Sequence, residues 1–312
     1  MPDLAKTLRA IAEDGAHVLY TGALARRIAD DIEAMGGYLG MEDLAAVRPR
    51  EVAPLTIPYF DRAIHVLPEL NGGPTLSVAF AELVKHRRQP EATPDADTFL
   101  AYAAAMRLAW KERFERMGDA GEHGVPTCTT HLCVVDRDGN MVTLTQTLLS
   151  QFGARIVLPS TGILMNNGMN WFDPVPGGPN SIAPDRAGLA NYVPAIMTGI
   201  GDTIAIGGCG GRRILPAVFQ LLAMSVDFGF DLERAFHQPR IDVSGLDVVV
   251  ADRRMPVATI EALSAQYATV IAEPVEFPYP FTIAGAVRSR AGINEGASEP
   301  QHPWSEAVAE DA

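Results

Sequence analysis

Basic side chains are scarce in this chain. Its 312 residues include 25 Lys and Arg against 38 Asp and Glu, which gives a net charge of −13 and a pI near 4.9. Nucleic acids and anionic membranes are bound through clustered positive charge, so this balance argues against both as partners. Long apolar runs are also scarce. The longest, residues 214–226, is interrupted by Pro216 and Gln220 and is too short to cross a bilayer.

Cysteine is rare too. Cys128, Cys133 and Cys209 are the three present, and none has CxxC spacing. No His or Cys pair has the spacing of zinc ligands, so we expect no metal and no cofactor. We interpret Cys133 and Cys209 as small buried apolar residues. No basic and apolar export signal opens the sequence, which as it stands predicts a cytoplasmic location.

The composition is that of a globular protein, since 47% of the residues are apolar and the chain is long enough to bury a large core. Apolar periodicity predicts helices at 4–11, 24–35, 75–86, 95–117, 212–228 and 256–266. Short strands are predicted at 56–57, 63–67, 202–207, 240–243 and 247–251, a hairpin at 131–136 and 141–147, a loop at 118–128 and an irregular acidic tail at 295–312. This mixture predicts a layered α/β fold.

The hairpin brings hydroxyl residues close together. Pairing Asp136 with Met141 sets Thr130 opposite Thr147, so that Thr147 lies beside Thr129. If the chain were cut before Thr129, the new α-amine, whose pKa in free peptides is about 7.7–8.0, could serve as the base for the neighbouring hydroxyl. Alternatively, the threonines of the second strand are only its β-branched face.

Residues 207–211, Gly-Gly-Cys-Gly-Gly, connect a predicted strand to a helix and are called the glycine loop below. Free backbone N–H groups in such a loop suit an anion or a developing oxyanion. Because no Gly-Lys-Ser/Thr follows, the loop is not a P-loop, and an ordinary turn remains the alternative. Arg212 and Arg213 could meet an anionic substrate there or pair with nearby carboxylates.

Residues 129–140, Thr-Thr-His-Leu-Cys-Val-Val-Asp-Arg-Asp-Gly-Asn, resemble the start of the small subunit of gamma-glutamyltranspeptidases. Further matching stretches lie at 2–8, 20–22, 145–147, 152–153, 161–167 and 210–214. The resemblance implies an N-terminal-nucleophile (Ntn) hydrolase with an αββα sandwich. It also implies that residues 1–128 correspond to the later part of a large subunit and residues 129–312 to a small subunit.

The resemblance also implies roles for individual residues. Thr129 would be the nucleophile freed by self-cleavage, and Thr147 would bind and orient the new α-amine. Gly210 and Gly211 would donate backbone N–H groups to the oxyanion. Cys128 remains a rival nucleophile, and we interpret His131 as a structural imidazole.

The substrate-binding positions depart from the family pattern. Members hold the substrate's α-amino group with Asn, Gln and Asp, where this chain has Leu149, Gly168 and Trp171. A serine pair that grips the α-carboxylate is replaced by Ala190 and Asn191, and residues 166–174 resemble an amidohydrolase-like branch instead. The positions expected to contact substrate are Asn167, Gly168, Trp171 and Asn191.

These observations favour a self-cleaving amide hydrolase or acyl transferase that acts through a Thr129 acyl-enzyme on a small amide. One alternative is a genuine glutathione hydrolase or gamma-glutamyl transpeptidase, and another is a catalytically silent binding or scaffold subunit. The match begins deep in the large subunit, so we also expect an N-terminally shortened form. The protein would then be a heterodimer of its own fragments, or it would need a missing N-terminal portion. If an N-terminal portion is missing, a periplasmic location is possible.

Overall fold

A computed structural model describes residues 1–86, 92–118, 127–245, 247–273, 275 and 280–310, without the side chains of Thr127 and Cys128. The chain divides into two compact units. Unit 1 is Met1–Val52 with Leu148–Gly168, and unit 2 is Ala53–Thr147 with Met169–Ala312. The boundary expected at 128/129 concerns covalent processing rather than packing, and it stays a prediction.

Unit 1 is helical and has its own small core. Its helices are α1 (Pro2–Asp14), α2 (Ala23–Ala34) and α3 (Met41–Ala46), with a 3₁₀ turn at Ala16–Leu19. Leu24, Ile28 and Ile32 recur at intervals of four on α2 and pack with Leu44 and Leu158. The helical spacing read from the sequence is therefore confirmed here.

Unit 2 is built on a six-stranded antiparallel sheet in the order β1-β2-β5-β6-β10-β11. These strands are β1 (Leu55–Tyr59), β2 (Arg62–Val66), β5 (Ala195–Gly199), β6 (Asp202–Cys209), β10 (Ile283–Arg290) and β11 (Ile293–Ser298). A smaller sheet contains β7 (Ile241–Asp242), β8 (Val249–Asp252) and β9 (Thr269–Ala272). The helices are α4 (Gly73–His86), α5 (Ala96–Arg116), α6 (Ile214–Asp227), α7 (Leu232–His237) and α8 (Val257–Gln266).

The main core lies between the six-stranded sheet and the helices α4, α5 and α6. Aromatic contacts run from Tyr59 through Phe80 to Phe219 and Tyr102, with ring centroids 4.7 to 5.5 Å apart. Helix α6 is buried from Ile214 through Ser225, which explains why it carries the longest apolar run. Among the described residues, no helix combines the length and apolarity needed to cross a membrane.

The opposite face of the sheet carries the hairpin of β3 (Thr127–Val135) and β4 (Met141–Ser150). Side chains alternate along β10, so that Ala284 and Ala286 point into the helix-side core while Gly285 faces the hairpin. Two sheets thus stack with helices outside the larger one, which confirms the layered α/β sandwich.

The register of the hairpin differs by one residue from the expectation. The backbone N–H of Asp136 donates to the carbonyl of Asn140 at 3.1 Å, so Asp136 pairs with Asn140 and not with Met141. The turn has three residues and places Gly139 at φ 84°, a common three-residue hairpin geometry. Thr147 is consequently opposite Thr129 and not Thr130.

Several elements escaped the sequence analysis. Strands β5, β9 and β10, helices α3 and α7, and β11 within the supposedly irregular tail were not predicted. β10 is rich in Ala and Gly, which have weak strand propensity, so its pairing with β6 specifies it. The predicted loop at 118–128 is also too long, since Thr127 and Cys128 belong to β3, while residues 119–126 lie outside the described part.

Candidate active site

Thr129 and Thr147 face each other on the inner side of the hairpin. The Oγ1 hydroxyl of Thr129 donates to Oγ1 of Thr147 at 3.1 Å. Both side chains are half-buried, so Thr129 is sheltered without being sealed from a small molecule. The predicted neighbourhood of these two threonines is confirmed as a direct hydrogen bond.

The same inner face continues as a ladder of polar pairs. His131 Nδ1 is 2.9 Å from Thr145 Oγ1, and Cys133 Sγ is 3.5 Å from Thr143 Oγ1. Burial lowers the pKa of His131 to about 4 and raises the pKa of Cys133 to about 11. At neutral pH both side chains are therefore uncharged.

The glycine loop carries two residues in the left-handed region of φ. Gly210 has φ 144° and Gly211 has φ 61°, conformations that side-chain-bearing residues rarely adopt. The backbone N–H of Arg213 donates to the carbonyl of Gly210 at 3.3 Å, and Nε of the Arg213 side chain lies 3.5 Å from the same oxygen. In a trans peptide the N–H of Gly211 points the opposite way, away from the start of α6.

Contacts further along β3 predict that Thr129 lies beside this loop. His131 packs against Gly207 and Gly285, which pair across β6 and β10. Cys133 lies two residues after His131 on β3, and it hydrogen-bonds the backbone of Val287, two residues after Gly285 on β10. A step of two residues along β3 therefore corresponds to a step of two residues along β10. Two residues before His131, Thr129 is therefore expected over the pair Cys209–Ile283, next to Gly210.

Thr282 lies against the glycine loop, and Asp242 is buried near Arg213, which follows the loop; neither was predicted from the sequence. A Cβ on Gly210 would lie 3.1 Å from Thr282 Oγ1. Burial raises the pKa of Asp242 to about 6, against the hydrogen bond from Ser244 and the charge of Arg213. Its Oδ1 finds no hydrogen-bond partner within the part of the chain that the structure describes. A buried carboxylate whose pKa is raised is a candidate for a functional role, although no sequence pattern marked it.

Asp242→Asn should remove a pH dependence of stability. The folded pKa of about 6 exceeds the unfolded value of 3.8, so the protonated form is favoured on folding and stability falls as pH rises between these values. The difference corresponds to about 3 kcal/mol. We expect thermal melts of Asp242→Asn at pH 7 to show a higher Tm than wild type, with the gain vanishing below pH 4.

Asp202→Asn is the matched control at another buried carboxylate. Burial alone would raise the pKa of Asp202. Arg288 places Nε and Nη2 each 2.7 Å from the carboxylate, and its hydrogen bonds and charge outweigh burial, so that the pKa of Asp202 is lowered. Its replacement should therefore lower Tm at pH 7. An equal loss of stability in both variants would contradict the assignment for Asp242.

Trp171 and Asn191, both expected to bind substrate, lie in unit 2. The Trp171 ring meets Tyr192 edge-on with centroids 5.3 Å apart, and its carbonyl accepts a hydrogen bond from Asn180. Asn191 is buried, and its Oδ1 accepts from Arg113 Nη2 at 2.9 Å. The contribution of both residues to substrate binding stays a prediction.

Asn167 and Gly168 lie in unit 1. Asn167 clamps Ser150, accepting from its backbone N–H at 3.0 Å and donating to its hydroxyl at 2.7 Å. The backbone N–H of Gly168 donates to Asn166 Oδ1. Backbone strain is concentrated nearby, because three residues other than glycine have positive φ: Leu149, Phe152 and Arg155. This strain was not predicted from the sequence. Binding of substrate by Asn167 and Gly168 likewise stays a prediction.

Metal ligation has no support in the described ranges. No group of three or more His, Cys, Asp or Glu side chains there lies close enough to hold an ion.

Comparison with known proteins identifies relatives. A family model described as gamma-glutamyltranspeptidase matches residues 1–128 and 120–309. The glutathione hydrolase proenzyme of Escherichia coli K12 is 29% identical over 288 residues, which cover 76% of this chain and 50% of that protein. The acylase ACY 1 proenzyme of Pseudomonas sp. SE83 is 30% identical over 308 residues, 87% of this chain and 55% of that protein. The chain thus spans about half the length of these curated relatives.

Solved structures agree on the fold. Cephalosporin acylase from Bacillus halodurans superposes with a TM-score of 0.84 at 24% identity, covering 99% of this chain and 63% of that one. Gamma-glutamyltranspeptidase from Pseudomonas nitroreducens, complexed with L-DON, superposes with a TM-score of 0.51 at 28% identity. That match covers 58% of this chain and the whole of the other.

Proposed function

Since the chain belongs to the gamma-glutamyltranspeptidase family, we propose that it is an Ntn amide hydrolase or acyl transferase that cleaves itself before Thr129. The observation that carries the proposal is the Thr129–Thr147 hydrogen bond of 3.1 Å on a strand that runs toward the glycine loop. Acyl transfer requires a nucleophile, a base and donors for the oxyanion. The hydroxyl and the freed α-amine of Thr129 would be the first two, and the backbone of the glycine loop would supply the third.

Self-cleavage begins with attack of Thr129 Oγ1 on the carbonyl carbon of Cys128. The C–N bond breaks, the α-amine of Thr129 takes up a proton, and the chain is joined through an ester. Water then hydrolyses the ester, which leaves a carboxylate on Cys128 and both a hydroxyl and an amine on Thr129. Two of the relatives are named as proenzymes, which supports this step.

Turnover reuses the same hydroxyl. The α-amine of Thr129 accepts the proton from Oγ1 as the oxygen attacks the substrate amide, and the N–H groups of Gly210 and Gly211 stabilise the oxyanion. The amine returns the proton to the leaving amine, and water or another amine resolves the acyl-enzyme. In this scheme Thr147, which already hydrogen-bonds Thr129, orients the α-amine.

Processing would give a heterodimer of the chain's own fragments. Cleavage before Thr129 releases residues 129–312, which are 184 of 312 residues or about 59% of the chain. The chain of the Pseudomonas nitroreducens enzyme that matches over its full length covers 58% of this one. The agreement in size supports a second polypeptide that starts near Thr129.

The substrate class we propose is an amide whose acyl group lacks an α-ammonium. Trp171 packs against Tyr192 at the position where the family carries Asp. An ammonium placed there would lose an acceptor worth about 1–3 kcal/mol. An acyl group without that charge avoids the loss.

Two anilides that differ only in the α-amino group test this class. Glutaryl-p-nitroanilide should be hydrolysed with a kcat/KM at least about tenfold above that of γ-glutamyl-p-nitroanilide, since 1.4 kcal/mol is a factor of ten. Thr129→Ala should abolish both activities. Preference for the γ-glutamyl compound would favour a glutathione hydrolase, and no turnover of either by the folded protein would favour a silent scaffold.

A further inference from the structure

An imidazole sits in a notch formed by two glycines. Gly207 on β6 and Gly285 on β10 pair directly in the sheet, and both face the hairpin. A Cβ on Gly207 would lie 2.3 Å from His131 Cε1 and 2.8 Å from each ring nitrogen. The ring therefore occupies the volume that a side chain at Gly207 would need, which no single strand pattern reveals.

Hydrogen bonds hold the ring in this notch. His131 Nδ1 is 2.9 Å from Thr145 Oγ1 on the partner strand, and Nε2 is 3.2 Å from Cys133 Sγ. A further hydrogen bond joins the imidazole to the backbone of Gly285. The ring thus links β3, β4 and β10 at one point.

Thr129 lies two residues before this point on the same strand and the same face. A strand advances about 3.3 Å per residue, so the ring and the Thr129 side chain stand about 7 Å apart on one face. A displacement of about 1 Å in a reacting group can cost a factor of about 10² in rate.

We propose that His131 is a positioning residue whose ring, seated between Gly207 and Gly285, fixes β3 on the six-stranded sheet and sets the place of Thr129. This rests on the proposed function, because it concerns the alignment of that nucleophile. His131 itself touches no reacting atom. Its effect passes through the backbone of β3.

The two glycines provide a matched pair of variants. Gly207→Ala puts a methyl group where the ring now lies, whereas Gly285→Ala places one at 3.7 Å from His131 Cδ2, an ordinary contact. We expect Gly207→Ala and His131→Ala to slow self-cleavage and lower kcat for glutaryl-p-nitroanilide at least tenfold, with KM within about threefold of wild type. Gly285→Ala should keep both rates within about threefold.

A second readout does not depend on activity. Cys133 Sγ lies 3.6 Å from the carbonyl of Gly285 under the seated hairpin, so its alkylation rate reports whether the hairpin stays seated. Peptide-resolved mass spectrometry should show Cys133 labelled by iodoacetamide at least fivefold faster in His131→Ala and Gly207→Ala than in wild type or Gly285→Ala, at a temperature where circular dichroism shows all four folded.

The outcomes separate the two proposals. Wild-type protein that neither cleaves nor turns over substrate would overturn the proposed function, while the labelling pattern would still decide whether the ring seats the hairpin. If Gly285→Ala is impaired as strongly as Gly207→Ala, or if His131→Ala labels Cys133 at the wild-type rate, the positioning role is wrong. A change in KM alone would also contradict it.

Discussion

Thr129→Ala should leave the chain in one piece and lower amide turnover by about 10⁴-fold or more. The variant lacks the hydroxyl that attacks the carbonyl of Cys128, so no new α-amine is released, and it lacks the nucleophile for turnover. Losses of this size are typical when an enzyme's nucleophile is removed. Intact mass and a glutaryl-p-nitroanilide assay measure the two effects on the same sample.

Thr129→Ser is the matched control, because it keeps the hydroxyl and loses only the methyl group. It should cleave itself and retain turnover within about tenfold of wild type. Cleavage of Thr129→Ala at the same bond would show that another group attacks. Cys128 would then return as the rival nucleophile, and the roles given to Thr129 and Thr147 would have to be abandoned.

Gly210→Ala should lower kcat by about 10²–10³, the usual effect of losing an oxyanion donor. A side chain at φ 144° is strained, and its Cβ would lie 3.1 Å from Thr282 Oγ1, so we expect the peptide to rotate and turn its N–H away. Substrate affinity should change little, because the donors act on the transition state. Steady-state kinetics of the cleaved enzyme measure both.

Gly292→Ala separates backbone strain from the oxyanion role. Gly292 also has a positive φ, 80°, with nothing within 4 Å of a Cβ, and it lies in the turn between β10 and β11. Its replacement should lower Tm and leave kcat unchanged. If Gly292→Ala loses kcat as Gly210→Ala does, the rate loss reflects general destabilisation.

Local patterns predicted the parts of this protein that depend on neighbouring residues. The spacing of Leu24, Ile28 and Ile32 predicted α2, and the turn residues around Gly139 predicted the hairpin. The predicted proximity of Thr129 and Thr147 holds even though the register was one residue off. The turn has three residues, so Thr147 pairs directly with Thr129 and the two hydroxyls lie on one face.

Other parts depend on contacts between distant segments and could not be read from the sequence. Gly207 looks like a weak point in a strand until β10 brings Gly285 beside it and His131 fills the notch. Asp242 looks like an ordinary acidic residue until folding buries it near Arg213. Arg288 of β10 is buried in an ion pair with Asp202 of β6. The strand conformation of β10 therefore depends on contacts with its partner strand and not on its own sequence.

Mass spectrometry and N-terminal sequencing of the folded wild-type protein test the central claim most directly. Chemistry at Thr129 predicts two polypeptides of 128 and 184 residues, the second beginning Thr-Thr-His. A single species of 33.5 kDa from protein shown to be folded and monodisperse would contradict the account, since no α-amine would then exist at Thr129.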